Sequence, residues 1–287
     1  MKKGVLCTLM LIFSFMSFSD TNIEKATKFM GEGDFKSAEL YYKKAASEGS
    51  VDAMLTLGGI YAAQANIKEA EKYFLKAGEL GSDEGLLSLA VLYNGQGKID
   101  LVEKYSKIAA DRGNVAAMNM LGLGYLSQGK YSLAEKYLKE AEFKGNIDAL
   151  NNLGVLYLRQ EKYDLAEKYL KAALEKKSNR AATSLGFVYY KQGNTKLAEK
   201  YFKQSADEYK EVEGMVTLAS FYYVEKKYDL AEKYLKNAIA NDSVNALYML
   251  SQLYKEQGKY EDAKYYANLA LKKNHPDAEI MLKELGD

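Results

Sequence analysis

The chain is short of the residues that interrupt helices and of those that perform specialised chemistry. Of 287 residues, one is proline, one cysteine, one histidine and none tryptophan. Proline usually makes up about 5% of a protein. Inside a helix it removes an N–H and clashes with the preceding turn. Its near absence, beside 22 glycines, predicts an all-α chain of helices punctuated by glycine. A zinc site draws mainly on His and Cys, and a Ser-His-Asp or Cys-His group needs a positioned imidazole. Only His275 and Cys7 are on offer. No metal site, no cofactor and no enzyme of these types is therefore expected. A surplus of one charge is missing too, with 40 Lys+Arg against 39 Asp+Glu. Nucleic-acid binders gather a basic excess on one face, so nucleic acid is not an expected partner.

The first apolar run is at the N-terminus. Lys2 and Lys3 precede Gly4 to Phe18, and Ser17-Phe18-Ser19 places small residues at the two positions a signal peptidase reads. The run is shorter than the roughly 20 residues that cross a bilayer as a helix. It reads as a signal peptide over 1–19, cleaved near Ser19, which makes the mature chain extracytoplasmic, periplasmic or secreted. An uncleaved anchor is the alternative, and only then would a membrane be a partner. Val5-Leu6-Cys7 has too few apolar residues before it for a lipoprotein site. Cleavage removes Cys7, Lys2 and Lys3, so the net charge passes from +1 to −1 and no thiol remains, which suits an oxidising compartment.

The rest is one unit, copied. Ala-Glu-Lys-Tyr or a near relative begins at Ala38, Ala70, Val102, Ala134, Ala166, Ala198, Ala231 and Ala263, at intervals of 32 residues except one of 33. A Leu with a small residue after it keeps the same beat at Leu57, Leu89, Leu121, Leu153, Leu185, Leu218 and Leu250. In both series the extra residue falls between Asp207 and Glu213. Ala53, Leu57, Gly58 and Tyr61 form one apolar stripe of period 3.6, and Ala70, Tyr73, Phe74 and Ala77 form another. Each unit is thus two short amphipathic helices. Gly33, Gly97, Gly129, Gly193 and Gly258 mark the turn inside a unit, and Gly49, Gly81, Gly113 and Gly145 a left-handed stop after it. Later units carry Lys177, Lys210, Asp242 and Asn274 at that stop. The small residue at the Gly58 position lets two helix backbones approach closely. Neither helix buries its stripe alone, so stability comes from stacking neighbours.

These residues resemble a known family. Leu57-Gly58-x-x-Tyr61 followed by Ala70-x-x-x-Phe74-x-x-Ala77 is similar to the tetratricopeptide repeat, whose usual period is about 34 residues. The shorter linkers, such as Ala109-Ala110-Asp111-Arg112-Gly113, resemble Sel-one-like repeats. Both likenesses imply an α/α superhelical solenoid over 20–287. Eight helix-turn-helix repeats are expected, starting near Thr21, Asp52, Glu84, Ala116, Asp148, Arg180, Glu213 and Asn245, with a C-terminal capping helix from about Asp277 to Leu285. His275 then reads as a loop residue beside that cap. Glu to Lys pairs at i,i+4, from Glu39/Lys43 to Glu232/Lys236, decorate the second helices as a solvated face.

The resemblance also implies where a ligand sits. The first helix of each pair lines a concave groove through positions two before the Leu and two, five and six after it. The first of these holds Leu55, Leu87, Asn119, Asn151, Thr183 and Tyr248, the second Val91, Leu123, Val155 and Phe187, and the third Asn94, Leu126, Tyr190 and Tyr223. The Lys and Asn that clamp a C-terminal carboxylate in one mode of that family are absent. The aliphatic residues read equally as groove or core. The candidate contacts for a protein or peptide are Asn94, Asn119, Asn151, Arg159, Thr183, Tyr190, Tyr223 and Tyr248. Asn pairs with both peptide groups of an extended segment, and Tyr supplies area with a hydroxyl. A protein-binding scaffold is the expected function, a Sel-one-like cell-envelope enzyme or a self-associating structural protein the alternatives. Most of the 25 tyrosines repeat on the lattice, and Tyr190, Tyr223 and Tyr248 depart from it.

Overall fold

The computed structural model describes residues 21–286. The leader expected over 1–19 lies outside them. Among the described residues the chain is all-α, with seventeen helices and one π-helical turn. The division into compact units falls between Ala141 and Glu142.

In the first unit the helix pairs are α1 (21–31) with α2 (Phe35–Ser47), α3 (Val51–Ala63) with α4 (Ile67–Glu79), α5 (Asp83–Asn94) with α6 (Ile99–Asp111), and α7 (Val115–Ser127) with α8 (Tyr131–Phe143), whose last two residues fall in the second. In the second they are α9 (Ile147–Arg159) with α10 (Tyr163–Glu175), α11 (Arg180–Lys191) with α12 (Thr195–Lys203), α13 (Val212–Val224) with α14 (Tyr228–Ala240), and α15 (Val244–Glu256) with α16 (Tyr260–Lys272). The last helix, α17 (Ala278–Leu285), closes the array, and its Ala278, Met281 and Leu282 are buried. The starts match the periodicity to within a residue or two.

The helices begin and end for local reasons. Ser50, Ser82, Asn114, Asn146 and Ser243 accept from the backbone N–H three residues on, which satisfies a donor with no partner inside the helix. At the turn inside a unit, Lys98, Lys162, Lys227 and Lys259 hold the cap position without such a bond. Their ammonium groups lie over Tyr93, Tyr157, Tyr222 and Tyr254, 5.3–6.0 Å from the ring centres, a cation–π contact. Each stop is left-handed whether or not it is glycine. Gly49 has φ 95°, and Lys177, Lys210, Asp242 and Asn274 take the same turn at φ 54–64°. Lys177 N–H reaches Leu174 O at 2.8 Å and Ser178 N–H reaches Ala173 O at 2.9 Å, the paired bonds of a Schellman stop. The chain sustains this turn without glycine because the stacked helices on either side impose it.

The small residue after the repeated Leu has a different purpose from the one expected. A Cβ at Gly58 would lie 2.5 Å from the Phe74 ring, at Gly122 2.5 Å from Leu138, at Gly154 2.3 Å from Leu170 and at Gly186 2.4 Å from Phe202. In each case a large side chain sixteen residues on occupies the space. The glycine makes room for a side chain of its own pair, not for a neighbouring backbone.

Tyrosines join the two helices of a pair by stacking, and pair to pair through their hydroxyls. Tyr61 stacks on Tyr73, Tyr93 on Tyr105, Tyr125 on Tyr137 and Tyr189 on Tyr201, with ring centres 5.3–5.8 Å apart. The first-helix hydroxyl donates to a glutamate of the preceding pair: Tyr61 to Glu39, Tyr125 to Glu103, Tyr189 to Glu167, Tyr222 to Glu199 and Tyr254 to Glu232, at 2.5–2.9 Å. Glu39, Glu167, Glu199 and Glu232 also hold a lysine four residues on at 2.5–2.7 Å. These glutamates are therefore more than solvated decoration, because they fasten one repeat to the next. The lysine first, with help from the tyrosine, keeps Glu39, Glu167 and Glu199 below the usual carboxylate range.

Candidate binding face

The extra residue in the 33-residue interval lies at the joint between α12 and α13. There α12 is cut short, and Gln204–Glu208 forms a π-helical turn, the usual way an inserted residue is absorbed in a helix and a feature common at functional sites. Ser205 stands where most pairs have alanine (Ala77, Ala109, Ala173, Ala238) and is fully buried. Its hydroxyl meets that of Thr183 at 2.7 Å. Gly214 on α13 sits against it, since a Cβ there would be 2.2 Å from the Ser205 oxygen.

On the first-helix side the same joint carries an apolar cleft of about 180 Å³ lined by Phe187, Tyr190, Phe202, Thr217, Ser220, Phe221 and Val224. Phe202 and Phe221 are buried, with ring centres 5.7 Å apart. Phe187 meets Phe202 edge-on at 5.2 Å and Tyr190 meets Phe221 edge-on at 6.1 Å. Phe187, Tyr190 and Val224 remain 42%, 38% and 60% exposed. Four rings thus line a space open to solvent.

The expected site residues divide. Tyr190 is a wall of the cleft. Arg159 is exposed at the end of α9. Asn151 is half-buried, its carbonyl accepting from Ser184 on α11 at 3.2 Å and its amide donating to Asn152 at 3.5 Å. Tyr223 leans on Tyr228 with ring centres 6.0 Å apart. Its hydroxyl is pushed up to about 12, by burial first and then by Glu256. In the first unit Asn94 is exposed on the rim of a small cavity that also contains Ser106 and Met120, and Asn119 is half-buried on α7.

Thr183 is corrected, and Tyr248 has a partner inside the fold. Thr183 is buried, and its hydroxyl is taken up by Ser205, so it belongs to the core of the joint. Tyr248 is half-buried, stacks on His275 at 4.4 Å and packs beside Ala270 and Ala278. The aliphatic rows separate as well, with Val91 and Leu123 exposed and Leu126 buried. Sequence reasoning left Phe202, Phe221 and Val224 out of the site. Their signal was the aromatic density of Phe187 to Tyr190 and Phe221 to Tyr223, on either side of the longer interval.

Among the described residues no group of three or more His, Cys, Asp or Glu could hold a metal, and no helix is long and apolar enough to cross a membrane.

Stacked helix-turn-helix pairs closed by a capping helix define a repeat protein of the scaffold class. The family model for the tetratricopeptide repeat matches residues 23–84, 119–182, 151–213 and 216–279. The chain belongs to the tetratricopeptide repeat family. Among solved structures it is similar to a tetratricopeptide repeat protein from Parabacteroides merdae, with TM-score 0.61 and 20% identity over 94% of this chain and 100% of that one. It is similar also to a Sel1 repeat protein from Oxalobacter formigenes, with TM-score 0.63 and 19% identity over 99% and 92%. A chain in the APC/C hetero-tetramer Cut9–Hcn1 matches with TM-score 0.55 and 16% identity over 99% of this chain and 55% of that one. A search of curated proteins finds no match.

Proposed function

We propose that this protein is an extracytoplasmic scaffold that holds a partner protein or an extended peptide against the face of its first helices, centred on the cleft between α11 and α13. The observation that carries this reading is the cleft itself. It is apolar, open, lined by four aromatic rings, and it lies at the one joint that departs from the repeat. Tetratricopeptide repeats generally mediate binding of protein partners. Aromatic anchors seated in apolar pockets supply most of the energy in such contacts. The signal-like segment at 1–19 supports an extracytoplasmic location.

The chain from Asp20 onward, immobilised and exposed to a cell-envelope extract, should retain a partner that the double variant Phe187→Ser/Tyr190→Ser loses by at least about 30-fold, the scale of a hot-spot loss. A control on the second-helix face, Lys136→Ala, should retain it fully. Undiminished capture by a folded double variant would sink the assignment to this face.

A further inference from the structure

We propose that the cleft between α11 and α13 takes the Phe143 ring of a second copy of this chain. This rests on the reading of the first-helix face as the binding face, and it names the occupant. Phe143 ends α8 and is 90% exposed, a whole aromatic side chain presented to water. The same chain carries a cleft of about 180 Å³ walled by aromatic rings, close in size to the roughly 150 Å³ apolar cavity that accepts one benzene ring. An incoming ring would meet the edges and faces of Phe187 and Tyr190, the preferred geometry for aromatic pairs.

Charge favours the same match. In sequence, Glu140, Glu142 and Asp148 flank Phe143 against Lys139 and Lys144, whereas Lys191 and Lys226 flank Tyr190 and Val224 against Glu225. The knob is on balance acidic and the mouth of the cleft basic, so the two steer toward each other. One buried ring covers about 150–250 Å², well below the ~1,200 Å² at which stable complexes begin. The association is therefore weak and concentration-dependent. Knob and cleft are different surfaces, so the contact is head-to-tail and can propagate from copy to copy.

Sedimentation of the purified chain from Asp20 onward, over a range of concentrations, tests this directly. Wild type should associate, and Phe143→Ser should weaken association by about 30-fold, the scale of a lost hot spot. Val224→Lys, at the exposed mouth, should do the same by placing a charge beside the ring. Both substitutions are at exposed positions, and circular dichroism should show unchanged helix. At concentrations where the wild type is half associated, each variant alone should be largely monomeric, but an equal mixture should form a dimer, because the knob of one fits the intact cleft of the other. A wild-type chain that stays monomeric, a Phe143→Ser variant that still associates, or a mixture that fails to pair would overturn the proposal. None of these results depends on a foreign partner, so failure here is separate from failure of partner capture.

Discussion

The joint between α10 and α11 and the joint between α12 and α13 are built from the same parts and end differently. Both keep the tyrosine link, Tyr189 to Glu167 at 2.8 Å and Tyr222 to Glu199 at 2.9 Å. The second does so across 23 residues instead of 22. At the regular joint Ala173 is buried and Lys177 makes the left-handed stop. On the first-helix side Asn151 of α9 meets Ser184 of α11. At the longer joint the extra residue goes into a π-helical turn, a buried serine replaces the alanine, and an aromatic cleft lies between α11 and α13. An insertion is thus absorbed on the side where the backbone can bulge, while the polar link holds the register. The irregular turn and the aromatic cleft fall at the same joint.

The largest effect should come from removing what the two joints share. Tyr189, Tyr222, Tyr234 and Tyr254 are pushed up to about 12, by burial first and then by the carboxylate each hydrogen-bonds. An unfolded tyrosine titrates near 10. The folded pKa is the higher one, so the stabilisation is complete below pH 10 and lost as pH rises toward about 12. Helical circular dichroism and tyrosinate absorbance should change together in that window. Helix that survives past pH 12 would show the links to be dispensable. Next in size, Leu170→Ala should destabilise the regular α9–α10 pair by about 2–5 kcal/mol, because Leu170 is fully buried beneath Gly154 and its loss leaves a cavity. Urea unfolding measures it, and a loss below 1 kcal/mol would mean the fit beneath Gly154 counts for little.

The smallest effect isolates the longer joint. Thr183→Val should cost about 1–3 kcal/mol by stranding the buried Ser205 hydroxyl, and Thr183→Val/Ser205→Ala should recover most of it. A single variant as stable as wild type would show that the buried hydroxyl pair does not matter to the joint.

Much of this was legible before any coordinates. The 32-residue beat, the helix starts and the glycine stops follow from local rules, since each depends on residues within a turn or two of one another. That Lys177 and Asp242 keep the left-handed turn without glycine was not, because packing on both sides overrides a weak local preference. Thr183 occupies a position that faces the groove in the template, yet the π-helical turn places Ser205 against it. Tyr248 looked free because its partner, His275, has no counterpart elsewhere in the repeat. Phe202 and Phe221 sit on core positions, so only three helices taken together show that they also floor a cleft. The tyrosine to glutamate spacing of 22 was visible in the copied strings, but its meaning depends on how pair stacks on pair.

That spacing bears on how such a chain changes length over generations. Each regular repeat offers a tyrosine to the repeat before it and a glutamate to the one after it, and the glycine that makes room for a large side chain lies in the same repeat as that side chain. A duplicated or deleted segment of whole repeats therefore brings its own fit and meets an identical seam on either side. On this geometry, gain or loss of a whole regular repeat needs no compensating substitution at the tyrosine–glutamate link.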